Sequence, residues 1–355
     1  MGVIVYRFGV GGDFADFRLA FRYLYSLPSH QLFDDYIFIQ CSDFTETVGI
    51  PDDTWVQFNG HTVSVQNPNR YTITMPMNIV YNCRSVPTVI GADTMVWDGL
   101  IIRRIWSCNR STFSFIGGNP NTHCVVAHYK NIKIFGGYTG NGCGITLGIA
   151  WAGGGQQCAG SIVNCSIYNL YAGIRIKWQN NYPRSNYIEN CSIYNCANGF
   201  HTIAGDYVAG SGSFIRNVVC HNSSVADFSN EAGDATNNQY EACADHDNTL
   251  QGVVGTKTNC HTGVIDANFR SLDSASSDFL KLPIGYLSSA PTANPDRGLA
   301  PLAVRFNANT EYLVPNGLLA TEGIAPTLAK NDLADFEYGK YGDYPIGCYN
   351  AEIAY

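Results

Sequence analysis

The chain has 355 residues, 14% of them charged and 13% aromatic, with 36 glycines and a formal net charge of −8. That is enough apolar and aromatic side chain to bury a large core, which excludes a disordered chain, and so little charge with so much Gly and Tyr excludes a helical bundle. No Lys/Arg stripe offers itself to nucleic-acid phosphates and no apolar run reaches the roughly 20 residues that span a bilayer, so neither nucleic-acid binding nor membrane insertion is expected.

The first residues, MGVIVYRFGVGGDF, lack a basic stretch followed by a long apolar one, so no secretory signal is expected. The thirteen cysteines are odd in number and form no CxxC pair. They read as free buried thiols rather than as a disulfide scaffold or a zinc site, and the sequons at Asn109, Asn164, Asn190 and Asn222 read as accidental. Asp13 is expected to cap a helix whose apolar face carries Phe14, Phe17, Phe21 and Leu24, with Pro28 stopping it. Strand-like pieces follow: DDYIFIQC, WVQFNGHTVSV and YTITM.

The strongest signal lies in the middle of the chain. IVNCSIYNLYAGIRI (162–176) and IENCSIYNCANGFHT (188–202) share eight of fifteen positions at an offset of 26. IRNVVCHNSSVADFS (215–229) continues at an offset of 27, and weaker copies around Asn131 and Asp98 precede them at offsets of 33. Such periods are too short for a βαβ unit and lack helical periodicity, so they fit the coils of a β-solenoid. Because side chains alternate along a strand, the alignment predicts two interior columns. One holds Gly99, Ile132, Cys165, Cys191 and Val218; the other holds Ile101, Ile134, Ile167, Ile193 and Cys220. Asn164, Asn190 and Asn217 are expected at a corner, where Asn tolerates left-handed backbone and stacked amides pair between coils.

Seven of the fourteen prolines lie between Pro283 and Pro345, so the end of the chain reads as a loop-rich extension. The expected organisation is an N-terminal cap over 1–35, a parallel β-helix over 36–290, and an extension with closing strands over 291–355.

These residues resemble the pectate-lyase-like superfamily of right-handed parallel β-helices. The NCSIYN…GI coils are similar to its Asn-ladder repeats, and GGDFADFRLAFRYL to its opening turn and capping helix. VIDANFRSLDSASSDFLKL resembles a terminal coil of bacterial and phage members, and YGDYPIGCYNAEI their closing strand, with Pro345 and Cys348 departing from the pattern. The resemblance implies an all-β fold, a single-stranded right-handed parallel β-helix. Phage virion proteins fit best within it, because they fold in the cytoplasm without a signal and later stand outside the cell. It further implies a homotrimer, other virion proteins as partners, and a host surface glycan as a candidate ligand.

Two functions lead for such a chain, with a cellular carbohydrate-binding solenoid as a third. One is a non-catalytic structural or adhesion protein, a capsid decoration or a tail component. The other is a tailspike-type depolymerase, which needs two carboxylates facing one open groove. The acids for that role are Asp206, Asp227, Glu231 and Asp234, and Lys177, Trp178, Tyr182 and Arg184 form a basic-aromatic loop suited to sugar rings. The acidic stretch reads better as a solvated loop, and no family catalytic motif matches, so no catalytic residue is assigned. His201 and His221, one repeat apart, and Asp245-His246-Asp247 lack the convergence a metal needs. WAGGGQQC (151–158) lacks the GKS/T ending of a phosphate loop. No cofactor and no metal is expected.

Overall fold

The structure, a computed structural model, describes residues 2–50, 55–59, 61–75, 81–85, 94–104, 113–117, 126–136, 143–147, 159–163, 165–177, 186–203, 213–231, 238–241, 243–258, 260–264, 266, 269, 271–273, 305–306 and 327–328. Coil after coil repeats the same three strands, and like strands pair in parallel with those of the coils before and after. The result is a right-handed parallel β-solenoid. A sixteen-stranded sheet wraps two faces and a seven-stranded sheet forms the third. On the first face lie Asp35–Gln40, Thr62–Gln66, Thr94–Asp98, Val126–Lys130 and Ala159–Val163. On the second lie Thr72–Met75, Ile101–Arg104, Lys133–Gly136 and Ser166–Tyr168. Asn186–Tyr194 and Ser213–His221 cross both faces as unbroken strands. The third face runs from Trp55–Val56 through Cys143–Leu147, Ala172–Lys177 and Asn198–Ile203 to Ala226–Asn230. Among the described residues no helix is long and apolar enough to cross a membrane.

Interior columns follow from the register. Ile134, Ile167, Ile193 and Cys220 pair in succession, as the repeat predicts, and all are fully buried or nearly so. Burying one such aliphatic side chain contributes about 1.5–3 kcal/mol. The earliest copy is one residue off the expected alignment. Ile134 pairs with Ile102, while Ile101 pairs with Lys133 and stands outward, half-buried. Leu100 therefore takes the place expected for Gly99 beside Ile132, Cys165, Cys191 and Val218. The physical reason is the corner. Gly99 has φ +75°, and it falls level with Asn131, at φ +54°, because both follow paired strand ends at Asp98 and Lys130. A corner residue is matched to a corner residue, which shifts the copy by one.

Of the Asn expected at a corner, Asn217 has left-handed backbone, and so does Asn131 at the same corner of an earlier coil. The Asn131 amide donates to Asp98 at 2.8 Å. Asn164 lies outside the described residues, and so does the side chain of Asn190. A second ladder, at the next corner, is continuous. Asn169, Asn195 and Asn222 all have φ between +51° and +58°, Asn195 Nδ2 donates to Asn169 Oδ1 at 2.7 Å, and Asn222 Nδ2 donates to Asn195 Oδ1 at 3.4 Å.

At the N-terminal end, Val3–Phe8 adds a strand to the first face, and the helix α1 (Phe17–Tyr25) closes the interior. Its cap is Asp16, not Asp13: Asp16 Oδ1 accepts the Leu19 amide at 2.7 Å. Asp13 instead accepts the Arg7 amide at 2.7 Å, because residues 9–14 turn back and Phe14 pairs with the end of the first strand. Phe17, Ala20, Phe21 and Leu24 form the buried face, and the Phe17 ring meets Trp97 inside the solenoid with centroids 5.0 Å apart. Phe14 lies before the helix and is half-buried. The helix stops at Tyr25, and Pro28 opens a 3-10 turn, Pro28–His30.

Candidate functional site

Of the titratable groups singled out in the sequence, Asp227, His221, Asp245, His246 and Asp247 come together in the last described coils of the solenoid, where several interior columns stop being apolar. The column Ile134–Ile167–Ile193–Cys220 ends in Asp245. On the first face, Ile188, Ile215 and Tyr240 are followed by Lys257. On the third face Gly173 and Gly199 are followed by Asp227, since their neighbours pair Ala172 with Asn198 and Asn198 with Ala226. The glycines are required there by space. A Cβ on Gly144 would stand 2.7 Å from Ile167 Cγ2, and one on Gly173 would collide with Ile193 Cγ2. Among the described members of this column, a side chain is present at Asp227, where no further glycine follows.

Asp227 is fully buried, and both oxygens are taken by backbone amides: Oδ1 accepts from Ser223 at 3.0 Å and Oδ2 from His246 at 2.8 Å. Its own amide donates to Asp247 Oδ2 at 3.0 Å, and Asp247 Oδ1 accepts the Thr249 amide and hydroxyl at 3.0 and 2.6 Å. Thr249 Oγ1 in turn accepts from the Phe228 amide at 3.0 Å. Asp245, also fully buried, accepts the Leu250 amide at 2.7 Å through Oδ2, while Oδ1 has no hydrogen-bond partner among the described residues. Burial raises its pKa to about 6, the Leu250 hydrogen bond opposes that, and the nearby Asp247 and Asp227 charges add to it. The carboxylates thus fasten the segment 245–250, and the short helix at Thr249–Gly252 seats the buried Leu250 over the end.

His221 lies beside this plug. Its side chain is 1% exposed and its Nε2 stands 2.6 Å from Asp266 Oδ1, whose own side chain is 71% exposed. Its ring touches Tyr194, His246 and Phe269. His201 is not a repeat above it on the same face: His201 sits on the third face, level with Arg175 and Ser229, and His221 ends the second. His201 Nε2 stands 3.6 Å from Glu231, which is exposed. Burial and the Arg175 charge lower the His201 pKa against the pull of Glu231. Among the described residues no three His, Cys, Asp or Glu are placed to hold a metal ion.

Asp227 and Glu231 are therefore separated by role: one is a buried tie, the other an open carboxylate against a histidine. Asp206, Asp234, Trp178, Tyr182, Arg184, the side chain of Lys177 and the stretch 151–158 lie outside the described residues. Sequence reasoning missed a further feature, an aromatic run along the second face on the side away from the interior columns, half-buried at Phe135 and Tyr194 and buried at Tyr168 and His221. Phe135, Tyr168, Tyr194 and His221 pair in succession, the Phe135 and Tyr168 rings stack 5.3 Å apart, and Lys133 Nζ lies 5.8 Å from the Tyr168 centroid. The repeat carried the signal, since each aromatic sits one place after the interior Ile or Cys.

No protein-family model, no curated protein and no solved structure matches this chain.

Proposed function

We propose that the chain is a non-catalytic structural or adhesion protein on the surface of a bacteriophage particle, a β-helix of the pectate-lyase-like kind that works as a homo-oligomer. A rigid solenoid presents loops and an outer face at fixed spacing, which suits display and contact more than any one chemistry. The observation that carries the reading is Asp227. A carboxylate that cleaves a glycosidic bond must reach the substrate and exchange protons with it. Asp227 is fully buried and accepts two backbone amides, which is the work of a structural tie. The resemblance of the coil, cap and terminal motifs to phage β-helices supports the assignment to a particle.

Two measurements test this. Purified particles produced by the phage that encodes the chain are expected to contain it, by peptide mass spectrometry. Its absence from particles would remove the proposal. The isolated chain, incubated with host capsular and lipopolysaccharide glycans, is expected to release no reducing ends and no unsaturated product. Appearance of either would establish the depolymerase instead. Copy number then divides the roles: many copies over the shell mean decoration, and a few at the tail mean host contact.

A further inference from the structure

The column that begins at Leu100 and passes through Cys165, Cys191 and Val218 continues to Cys243 and Cys260. Ala244 and His261 are bridge partners, and the His261 amide donates to the Cys243 carbonyl at 2.8 Å, so the two cysteines stand level in adjacent coils. Neighbouring parallel strands lie ~4.8 Å apart, inside the ~4.4–6.8 Å between Cα atoms that a disulfide spans. Both thiols point the same way, toward the preceding coil. Cys243 Sγ approaches the Ile215 carbonyl at 3.3 Å, and Cys260 Sγ approaches the Tyr240 carbonyl at 3.5 Å. That direction aims the Cys260 sulfur at Cys243, one coil back in the same column.

The pair is asymmetric. Cys243 is fully buried, whereas Cys260 is half-buried and belongs to the last coil, where no further strand covers it among the described residues. The adjacent Cys243 thiol lowers the Cys260 pKa, helped by the nearby Lys257 charge, while burial pushes the Cys243 thiol up. Cys165 and Cys191 repeat the same juxtaposition deeper in the column, but both are fully buried. The fold therefore holds two pairs of the same geometry, one with a half-buried member and one fully buried.

We propose that Cys243 and Cys260 are a disulfide-forming modification site that staples the terminal coil. The staple would close the loop carrying Asp245, Asp247 and Leu250, the segment that plugs the solenoid. With glutathione disulfide as oxidant, the Cys260 thiolate attacks one of its sulfurs. The S–S bond breaks, one glutathione thiolate leaves, and a Cys260–glutathione mixed disulfide forms. Cys243 then loses its proton and attacks the Cys260 sulfur, releasing the second glutathione thiolate. Two protein thiols lose two electrons and two protons, and one glutathione disulfide becomes two glutathiones. The site would act the same way in a display protein or an enzyme.

The test uses the full chain, folded, in glutathione redox buffers, quenched with iodoacetamide and mapped by peptide mass spectrometry. A Cys243–Cys260 crosslinked peptide is expected, with Cys165 and Cys191 alkylated only after denaturation. Cys260 is expected to react with iodoacetamide at least tenfold faster than Cys165 or Cys191. Cys243→Ser is expected to halt oxidation at the glutathione adduct on Cys260, and Cys260→Ser to leave Cys243 reduced. A Cys260 that reacts no faster than the inner pair, or that bonds to a different cysteine, overturns the proposal. So does an adduct that persists in the wild-type chain while Cys243 stays a thiol. The wild-type map decides the matter even where a variant does not fold.

Discussion

Asp245 occupies an interior position where its charge is opposed. An unfolded aspartate titrates near 3.9, whereas the folded one is raised to about 6, chiefly by burial. Between these values the folded state binds the extra proton, so the neutral acid stabilises the fold. That stabilisation is complete below about pH 4 and is lost as pH rises through 6. Asp245→Asn keeps an oxygen for the Leu250 amide and removes the ionisation. Its stability relative to wild type is expected to rise between pH 4.5 and pH 7, by on the order of 2 kcal/mol. Urea unfolding of both proteins at the two pH values measures this. His201 and His261, whose pKa values burial lowers, titrate in both proteins and cancel in the difference. An unchanging difference between the two proteins would refute the assignment. The residue types of this cluster were legible in the sequence, and their roles were not. Asp227 and Glu231 stand four positions apart in one acidic stretch. Which is a buried tie depends on Gly173 and Gly199 lying above Asp227, a fact of coil register.

At the scale of elements, the corners set the coil. Asn169, Asn195 and Asn222 combine left-handed backbone with amide-to-amide hydrogen bonds from coil to coil. Asn195 is the middle member, donating to one neighbour and accepting from the other. Asn195→Ala puts Ala, which tolerates left-handed backbone less well than Asn, at that position and removes both bonds, and about 1–2 kcal/mol of destabilisation is expected. Asn195→Gly restores the backbone without the ladder, so it is expected to lose roughly half as much. Thermal unfolding of the three proteins distinguishes these, and equal losses for both variants would mean that backbone conformation plays no part. The NCSIYN repeat made the solenoid and most of its columns legible, because identical residues at fixed spacing force identical faces. It misplaced Gly99 and Ile101 by one, since a weak copy with no Asn at the corner gives no visible mark for the turn. Likewise Asp13 and Asp16 both precede an aromatic. The difference between them is the turn at 9–14, which pairs Phe14 with the strand before it.

For the molecule as a whole, the ends and the middle are made of different chemistry. The N-terminal end is sealed by an aromatic lid, where Phe17 packs on Phe8, Phe38 and Trp97. The C-terminal end is sealed by Asp227, Asp245 and Lys257, which terminate apolar columns and bond to loop backbone. Between them the described strands pair only with those of the coils before and after, so stability is largely a chain of neighbour terms. Local opening is then easiest where a coil has one neighbour, and hardest where it has two well-packed ones. Native-state hydrogen exchange is expected to be slowest at the amides of Ile167, Ile174 and Ile193, and to quicken coil by coil toward Leu250 and His261. Ile193→Ala, which removes a buried side chain from the centre, is expected to cost about 2–5 kcal/mol and to speed exchange on both sides of it. Leu250→Ala is expected to speed exchange only over 243–258, because among the described residues no further strand packs beyond the coil it covers. A uniform exchange rate from Val3 to His261, or a Leu250→Ala effect that reaches Ile167, would mean that the solenoid opens as one unit and that its two ends are not separately sealed.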